Sequence, residues 1–101
     1  MNSTQEEMIH LTDLSFIHFC NERYGINRGV YNTIDAWFYG QGVVNILKRR
    51  HYILSFLDSL KGLETTRNSR LKFGNGGLTI KLHEYFFGIN ESTAVDMASN
   101  L

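Results

Sequence analysis

The chain has no proline among its 101 residues and contains a single cysteine, Cys20. Proline breaks helices because it lacks a backbone N–H and clashes with the preceding turn, so its absence suits a mainly helical chain. One cysteine cannot form an intramolecular disulfide, which is compatible with a reducing compartment. These two absences favour a helical protein that folds without covalent cross-links.

Long apolar runs and a basic amino-terminal region are also missing. The first ten residues carry two acidic residues and no basic one, unlike a secretory signal peptide. The best candidate for a membrane span is interrupted by Lys48, Arg49 and Arg50. We therefore expect a cytoplasmic protein that has no membrane partner.

The net charge is zero, but the charges are unevenly distributed along the chain. Residues 48–81 contain eight basic and two acidic residues, whereas residues 1–47 and 82–101 each have a net charge of −3. A basic middle segment can bind phosphate groups, or it can be neutralised within the fold or across a homodimer. The balance argues against a histone-like basic protein and against an acidic mimic of DNA.

The amino-terminal part of the chain has the spacing of amphipathic helices. Ser3 and Glu6 match a capping box, and apolar residues then recur at steps of three and four. The stripe consists of Met8, Leu11, Leu14, Ile17, Cys20 and Tyr24. Gly25 is placed to end this first helix, with Ile26 packing back onto it. Residues 28–39 predict a second helix.

The clearest helical pattern covers residues 43–62, where Gly62 marks the end. Its predicted buried face consists of Val43, Ile46, Leu47, Ile53, Leu54, Leu57 and Leu60. Lys48 and Arg49 are expected on the exposed side. Arg50 lies nearer to the apolar stripe, where an arginine more often packs its stem along apolar side chains than binds a ligand.

The stretch 70–82 is ambiguous between a strand pair and a helix. A glycine-rich tetrad at 74–77 could turn a short β-hairpin, with Leu78, Ile80 and Leu82 alternating on one face. Alternatively, a helix beginning near residue 79 would group the apolar residues of this stretch. Both alternatives remain open on period alone.

The remaining carboxy-terminal segment contains a second helix end at Gly88 and suits a final helix over residues 91–100, capped by Asn90. The expected fold class is therefore mainly α, with four or five helices in a single domain over residues 1–101. A short β-hairpin near residues 70–82 is the one β element that this expectation allows.

No catalytic, metal or cofactor site emerges from the sequence. His18 and Glu22 are four residues apart and could share a helix face, but a stable metal site needs three or four ligands. The glycine-rich tetrad lacks the Lys-Ser/Thr that follows it in a phosphate-binding loop. We therefore predict a protein that is not an enzyme and holds neither metal nor cofactor.

Residues 79–101 resemble the helix-turn-helix unit of bacterial and phage DNA-binding regulators. Gly88 stands at the turn, and Ile89 stands at the buried position that follows it. The resemblance implies that Ser92 and Thr93 lie on the outward face of a recognition helix. Two acidic residues and no basic one accompany them, which departs from the charge expected beside phosphates.

A second Gly-Ile-Asn tripeptide, at residues 25–27, gives a weaker echo of the same pattern over residues 12–38. In this copy Arg28 and Asn32 would face outward, and both side chains suit base and phosphate contacts. The plainer alternative at both sites is a helix that ends at glycine and is followed by another helix.

These patterns lead us to predict a small regulator that binds double-stranded DNA. A homodimer is expected because one short recognition helix gives little affinity alone. The expected DNA contacts are Arg28, Asn32, Lys48, Arg49, Arg50, Arg67, Arg70, Lys72, Ser92 and Thr93.

The alternative prediction is a protein-binding inhibitor or adaptor of the kind found in phages and mobile elements. It would use an aromatic and basic surface formed by Trp37, Tyr39 and Tyr52 near Arg49. Aromatic residues and arginine are enriched among the residues that dominate protein interfaces. The same aromatic side chains could equally pack in the core.

Overall fold

The computed structural model describes residues 3–60, 77–90, 93, 94 and 97. Five helices are bounded within this part of the chain: α1 Ser3–Met8, α2 Asp13–Tyr24, α3 Arg28–Gly40, α4 Ile46–Leu60 and α5 Gly77–Phe87. None of the described residues lies in a strand, and the prediction of a mainly α fold is confirmed. None of the described helices combines the length and apolarity needed to cross a bilayer.

The amino-terminal helix is interrupted where the sequence predicts a continuous one. A turn follows α1, and Thr12 caps α2 by accepting a hydrogen bond from the backbone N–H of Ser15 at 3.4 Å. The interruption changes the buried face, because Phe16 and Cys20 are fully buried whereas Leu14 is 65% exposed. Apolar spacing alone therefore assigns Leu14 to the wrong side of the helix.

The first Gly-Ile-Asn tripeptide joins α2 to α3 and each of its residues has a distinct role. Gly25 ends α2 at φ 71°, a conformation that glycine adopts without steric cost, and donates to the carbonyl of Asn21. Ile26 is buried in the core, as predicted. Asn27 then caps α3 by accepting from the N–H of Val30 at 2.8 Å.

The second tripeptide repeats the glycine end and the asparagine cap after α5, but Ile89 is only partly buried, unlike Ile26 and unlike the buried position predicted for it. Gly88 has φ 63°, and Ile89 donates its N–H to the carbonyl of Glu84 at 3.3 Å, which is the six-to-one bond of a Schellman cap. Asn90 accepts from the N–H of Thr93 at 2.9 Å. The prediction that Gly25 and Gly88 both end helices is confirmed.

Helices α3 and α4 form the most extensive helix pair of the described structure. Asn45 caps α4 by accepting from the N–H of Lys48 at 2.8 Å, so α4 begins at Ile46 rather than at residue 43. The buried face of α4 consists of Arg50, Ile53, Leu54, Phe56, Leu57 and Leu60. The predicted end at Gly62 lies outside the described residues.

Helix α5 covers residues 78–82, which the hairpin alternative assigned to a strand. Leu82 is fully buried, and the hydroxyl of Tyr85 donates to Ser55 on α4 at 2.7 Å. Residues 77–82 therefore follow the helical alternative, because a period near four brings one apolar face onto the packed α3–α4 pair. Residues 70–76 lie outside the described residues.

Candidate functional site

Arg50 is buried, and its guanidinium group donates hydrogen bonds to other groups of the same chain. The residue is 5% exposed, and one guanidinium nitrogen donates to the backbone carbonyls of Ile9 at 2.8 Å and Leu11 at 2.7 Å. The other donates to the carboxylate of Asp13 at 2.7 Å, and the guanidinium lies 4.7 Å from the centre of the Phe16 ring. The expectation that Arg50 contacts a nucleic-acid phosphate is therefore wrong, because its donors are committed to the turn before α2.

Arg49 is also held by the protein, although it lies nearer to the surface. Its Nε donates to the carboxylate of Asp35 at 2.7 Å, and Nη1 donates to the carbonyls of Val43 at 3.0 Å and Val44 at 3.2 Å. The guanidinium lies 5.4 Å from the centre of the Tyr39 ring. Arg49 is expected from the sequence to be an exposed phosphate contact. Its side chain is instead only 12% exposed and connects the loop before α4 to α3.

Two of the predicted cationic contacts are exposed to solvent: Arg28 at the start of α3 and Lys48 in the first turn of α4. Asn32 and Thr93 are exposed as well. The remaining predicted contacts, which are Arg67, Arg70, Lys72 and Ser92, lie outside the described residues. Of the ten predicted DNA contacts, two are therefore held within the fold, four are exposed and four lie outside the described residues.

The three aromatic residues of the alternative prediction have different environments. Trp37 packs edge-to-face against Phe38, with ring centroids 5.4 Å apart, and against Phe86 at 5.6 Å. Tyr52 is half-buried and lies 5.5 Å from the Phe38 ring. Tyr39 differs from both, because it is 58% exposed. Only Tyr39 presents a largely open aromatic surface, and the other two mainly extend the core.

Tyr39 belongs to an exposed apolar surface where α3 turns into α4. We define the α3–α4 corner as Tyr39, Val44, Ile46, Leu47 and Lys48. Val44 is 63% exposed and Ile46 is 55% exposed, and Leu47 is also exposed. Sequence spacing places Ile46 and Leu47 in the core, whereas the Asn45 cap starts the helix later and turns both outward. The cap residue is the signal that could have identified this surface.

A second surface feature is a shallow apolar groove along α1 and α2, with a volume of about 480 Å³. It is lined by Met8, Leu11, Leu14, Ser15, His18, Phe19 and Glu22. The predicted common face of His18 and Glu22 is therefore present. Among the residues that the structure describes, no three His, Cys, Asp or Glu side chains gather closely enough to hold a metal ion.

Cys20 lies on α2 and is fully buried. Burial raises the pKa of its thiol to about 12, and the nearby positive charge of Arg50 opposes this effect only in part. A thiol with so high a pKa carries almost no thiolate near neutral pH, so Cys20 is a core residue rather than a nucleophile.

Comparison with known proteins finds a bacterial relative. The chain is 47% identical over 78 residues to the RNA-binding riboflavin kinase RibR of Bacillus subtilis (strain 168). The matched region covers 76% of this chain but 34% of the relative, so the chain spans about a third of the length of that protein. No protein-family model matches the chain. Comparison with solved structures likewise gives no significant match.

This similarity corrects the predicted function. A relative named for RNA binding overturns the prediction of a transcription regulator that binds double-stranded DNA as a homodimer. The comparison also gives no support to the alternative of a protein-binding inhibitor or adaptor. The sequence could not make this distinction, because clustered basic residues attract the phosphates of DNA and RNA alike.

Proposed function

We propose that this chain binds RNA. The observation that carries the proposal is the 47% identity over 78 residues to a protein whose name includes RNA binding. That similarity covers most of this chain, so it spans the helices that present the exposed cations and the α3–α4 corner. The charge distribution supports the same proposal, because residues 48–81 have an excess of basic residues that suits a polyanion.

The relative's name also includes a kinase activity, and we attribute to this chain the RNA-binding function rather than the kinase function. Phosphoryl transfer depends on carboxylates that hold magnesium ions beside the nucleotide phosphates. Several described carboxylates instead form ion pairs with basic side chains of the same chain. Asp35 binds Arg49 at 2.7 Å and Asp13 binds Arg50 at 2.7 Å, which leaves these groups supporting the fold.

The proposed contacts with the RNA backbone are the exposed cations Arg28 and Lys48, together with the exposed amide of Asn32. A lysine or arginine at the surface neutralises phosphate without sequence preference, whereas an amide can donate to and accept from a base edge. The Gly-Ile-Asn turn presents Arg28 and Asn32 on consecutive turns of α3. The helix-turn-helix resemblance itself stays a prediction.

The experiment that tests this function is a titration of a fluorescently labelled, randomised RNA pool with the purified chain, followed by fluorescence anisotropy across a salt series. For an RNA binder, the logarithm of the binding constant falls linearly with the logarithm of the salt concentration. A randomised DNA duplex of equal length provides the comparison, and RNA should bind more tightly. Absence of RNA binding at low salt would contradict the proposal.

A parallel assay addresses the kinase function. The chain is incubated with riboflavin, ATP and magnesium, and the formation of phosphorylated flavin is measured by chromatography. We expect no product above the level of an enzyme-free control. Product formation that depends on the protein would overturn the attribution to RNA binding alone, without affecting the RNA titration.

A further inference from the structure

We propose that the α3–α4 corner binds an unpaired base of the RNA by stacking it on Tyr39. This inference rests on the proposed RNA-binding function and specifies the form of RNA that is recognised. Tyr39 is 58% exposed, whereas Trp37 and Tyr52 are packed against other rings. Among these three aromatic residues, Tyr39 is therefore the one with a ring surface available to a ligand.

The position of Tyr39 is fixed from one side by Arg49. The guanidinium lies 5.4 Å from the ring centre and is itself held by Asp35 and by the carbonyls of Val43 and Val44. A cation over one side of an aromatic ring is favourable, and this contact leaves the opposite side for a second flat group. Because Arg49 is fixed by three hydrogen bonds, the ring is supported before any ligand arrives.

The surroundings of Tyr39 suit a flat apolar group. Val44 and Ile46 are each more than half exposed, and Leu47 is exposed beside them. Exposed apolar side chains that are scattered singly need no explanation. Four of the six large exposed apolar residues that the structure describes lie within residues 39–47, where α3 ends and α4 begins. Leu14 and Phe87, the other large exposed apolar residues described, lie on α2 and at the end of α5.

The charge of the corner favours a nucleic acid over an apolar protein surface. Residues 39–48 contain no acidic residue, and Lys48 is exposed at their end. The neighbouring carboxylate of Asp35 is already paired with Arg49 at 2.7 Å. A base that stacks on Tyr39 would therefore approach a stretch that lacks an uncompensated negative charge, and the exposed Lys48 is the cation of this stretch that can pair with a phosphate.

The requirement for an unpaired base follows from the geometry of RNA. Bases within an A-form duplex are stacked on both faces by neighbouring bases, so none of them offers a free face to a side chain. Aromatic side chains instead stack on bases of loops, bulges and single strands. The proposed ligand is therefore RNA that contains an unpaired segment, with the paired regions contributing phosphate contacts only.

The test compares two labelled RNAs of equal length, a hairpin with an unpaired loop and a fully paired duplex. Both are titrated with the wild-type chain and with the Tyr39→Ala and Tyr39→Phe variants. We expect the wild type to prefer the hairpin, and Tyr39→Ala to weaken hairpin binding by about fivefold or more, since stacking of one base on an aromatic ring has this magnitude. Tyr39→Phe keeps the ring and should retain most of the affinity.

Leu14→Ala provides the matched control, because Leu14 is as exposed as Tyr39 but lies on α2. It should leave hairpin binding unchanged. A hairpin that carries 2-aminopurine in its loop adds a direct signal: stacking quenches its fluorescence with the wild type and Tyr39→Phe, but not with Tyr39→Ala. Circular dichroism should show the same helical signal for all variants.

The outcomes separate the two proposals. If the wild type binds duplex as tightly as hairpin, and Tyr39→Ala binds both normally, the stacking inference is overturned while RNA binding stands. If the wild type binds neither RNA, the proposed function fails and the inference fails with it. If Tyr39→Ala abolishes capture of a protein partner but leaves RNA affinity intact, the corner is a protein surface and the inference is again overturned.

Discussion

The basic residues Lys48 and Arg50, two positions apart on α4, belong to two very different regions of the molecule. The Arg50 junction, formed by Arg50 with the carbonyls of Ile9 and Leu11 and the carboxylate of Asp13, is centred on a buried arginine side chain and joins α4 to the start of α2. The α3–α4 corner lies on the surface and exposes apolar side chains beside Lys48. A basic run along a helix therefore need not form one basic surface.

The physical reason for the difference is helical geometry combined with long-range partners. Neighbouring residues on a helix point about 100° apart, so consecutive basic residues face different parts of the structure. Arg50 faces the end of a turn whose carbonyls would otherwise be buried without donors. Arg49 faces Asp35 and Tyr39, and Lys48 faces solvent.

The largest expected effect is the loss of stability on replacing Arg50. Arg50→Ala removes the donors of two backbone carbonyls together with a buried side chain, and should lower the free energy of unfolding by about 3 kcal/mol. Urea denaturation followed by circular dichroism measures this change. Arg50→Met keeps an apolar side chain beside Phe16 but loses the hydrogen bonds. Its free energy of unfolding should lie between those of the wild type and Arg50→Ala. A loss as small as that of Lys48→Ala would show that the junction is not part of the core.

Two buried titratable groups, Cys20 and Tyr31, should make the free energy of unfolding depend on pH in the alkaline range. Burial raises the pKa of Cys20 from 9.0 to about 12 and is also the main cause that raises the pKa of Tyr31 from 10.0 to about 12. A group whose pKa is higher in the folded state contributes stability that is present below its unfolded pKa and lost as the pH rises toward the folded value. Unfolding free energy should therefore decrease between pH 9 and about 12. A flat profile over this window would contradict the burial of both groups.

A smaller effect is expected at the boundary between the two regions. Arg49→Ala removes the bond to Asp35 and the support of Tyr39, and should cost about 1.5 kcal/mol of stability. Lys48→Ala is the matched control because Lys48 is the exposed neighbour. It should leave stability unchanged but reduce the salt dependence of RNA binding by about one phosphate contact. If Arg49→Ala and Lys48→Ala lowered the free energy of unfolding equally, Arg49 would contribute no more to the fold than the exposed Lys48.

The smallest effect on stability is expected at the corner itself. Ile46→Ala should change the free energy of unfolding by less than about 0.5 kcal/mol, since the side chain is exposed. Ile53→Ala, on the same helix but fully buried, should cost about 3 kcal/mol. Thermal and urea denaturation of both variants provide the measurement. A large loss for Ile46→Ala would mean that the corner is packed rather than exposed.

Local chemistry made the helix ends predictable. Gly25 and Gly88 end helices with positive φ, and Asn90 caps the segment that follows, as expected from residue type and position. These features depend on a few neighbouring residues. The break between α1 and α2 is equally local, since Thr12 is a good capping residue, but the continuous apolar spacing around it hides the signal.

The candidate site was less predictable because it depends on distant partners. The sequence identifies Arg49 and Arg50 as basic, but their roles follow from Asp35 and Asp13, which lie on other helices. The choice between strand and helix at residues 77–82 likewise depends on packing against α4, with which Tyr85 forms a hydrogen bond. Tyr39 was included among aromatic candidates, but its exposure is a property of the fold.

An NMR titration that locates the RNA contacts tests most directly whether RNA binds at the α3–α4 corner. When the ¹⁵N-labelled chain is titrated with a hairpin RNA, we expect chemical-shift changes at the amides of residues 39–48, with further changes near Arg28 and Asn32. The amides around the α1–α2 groove, including His18, should change little. Shifts concentrated at that groove, or no shifts at any RNA concentration, would contradict the claim that the exposed corner is where RNA binds.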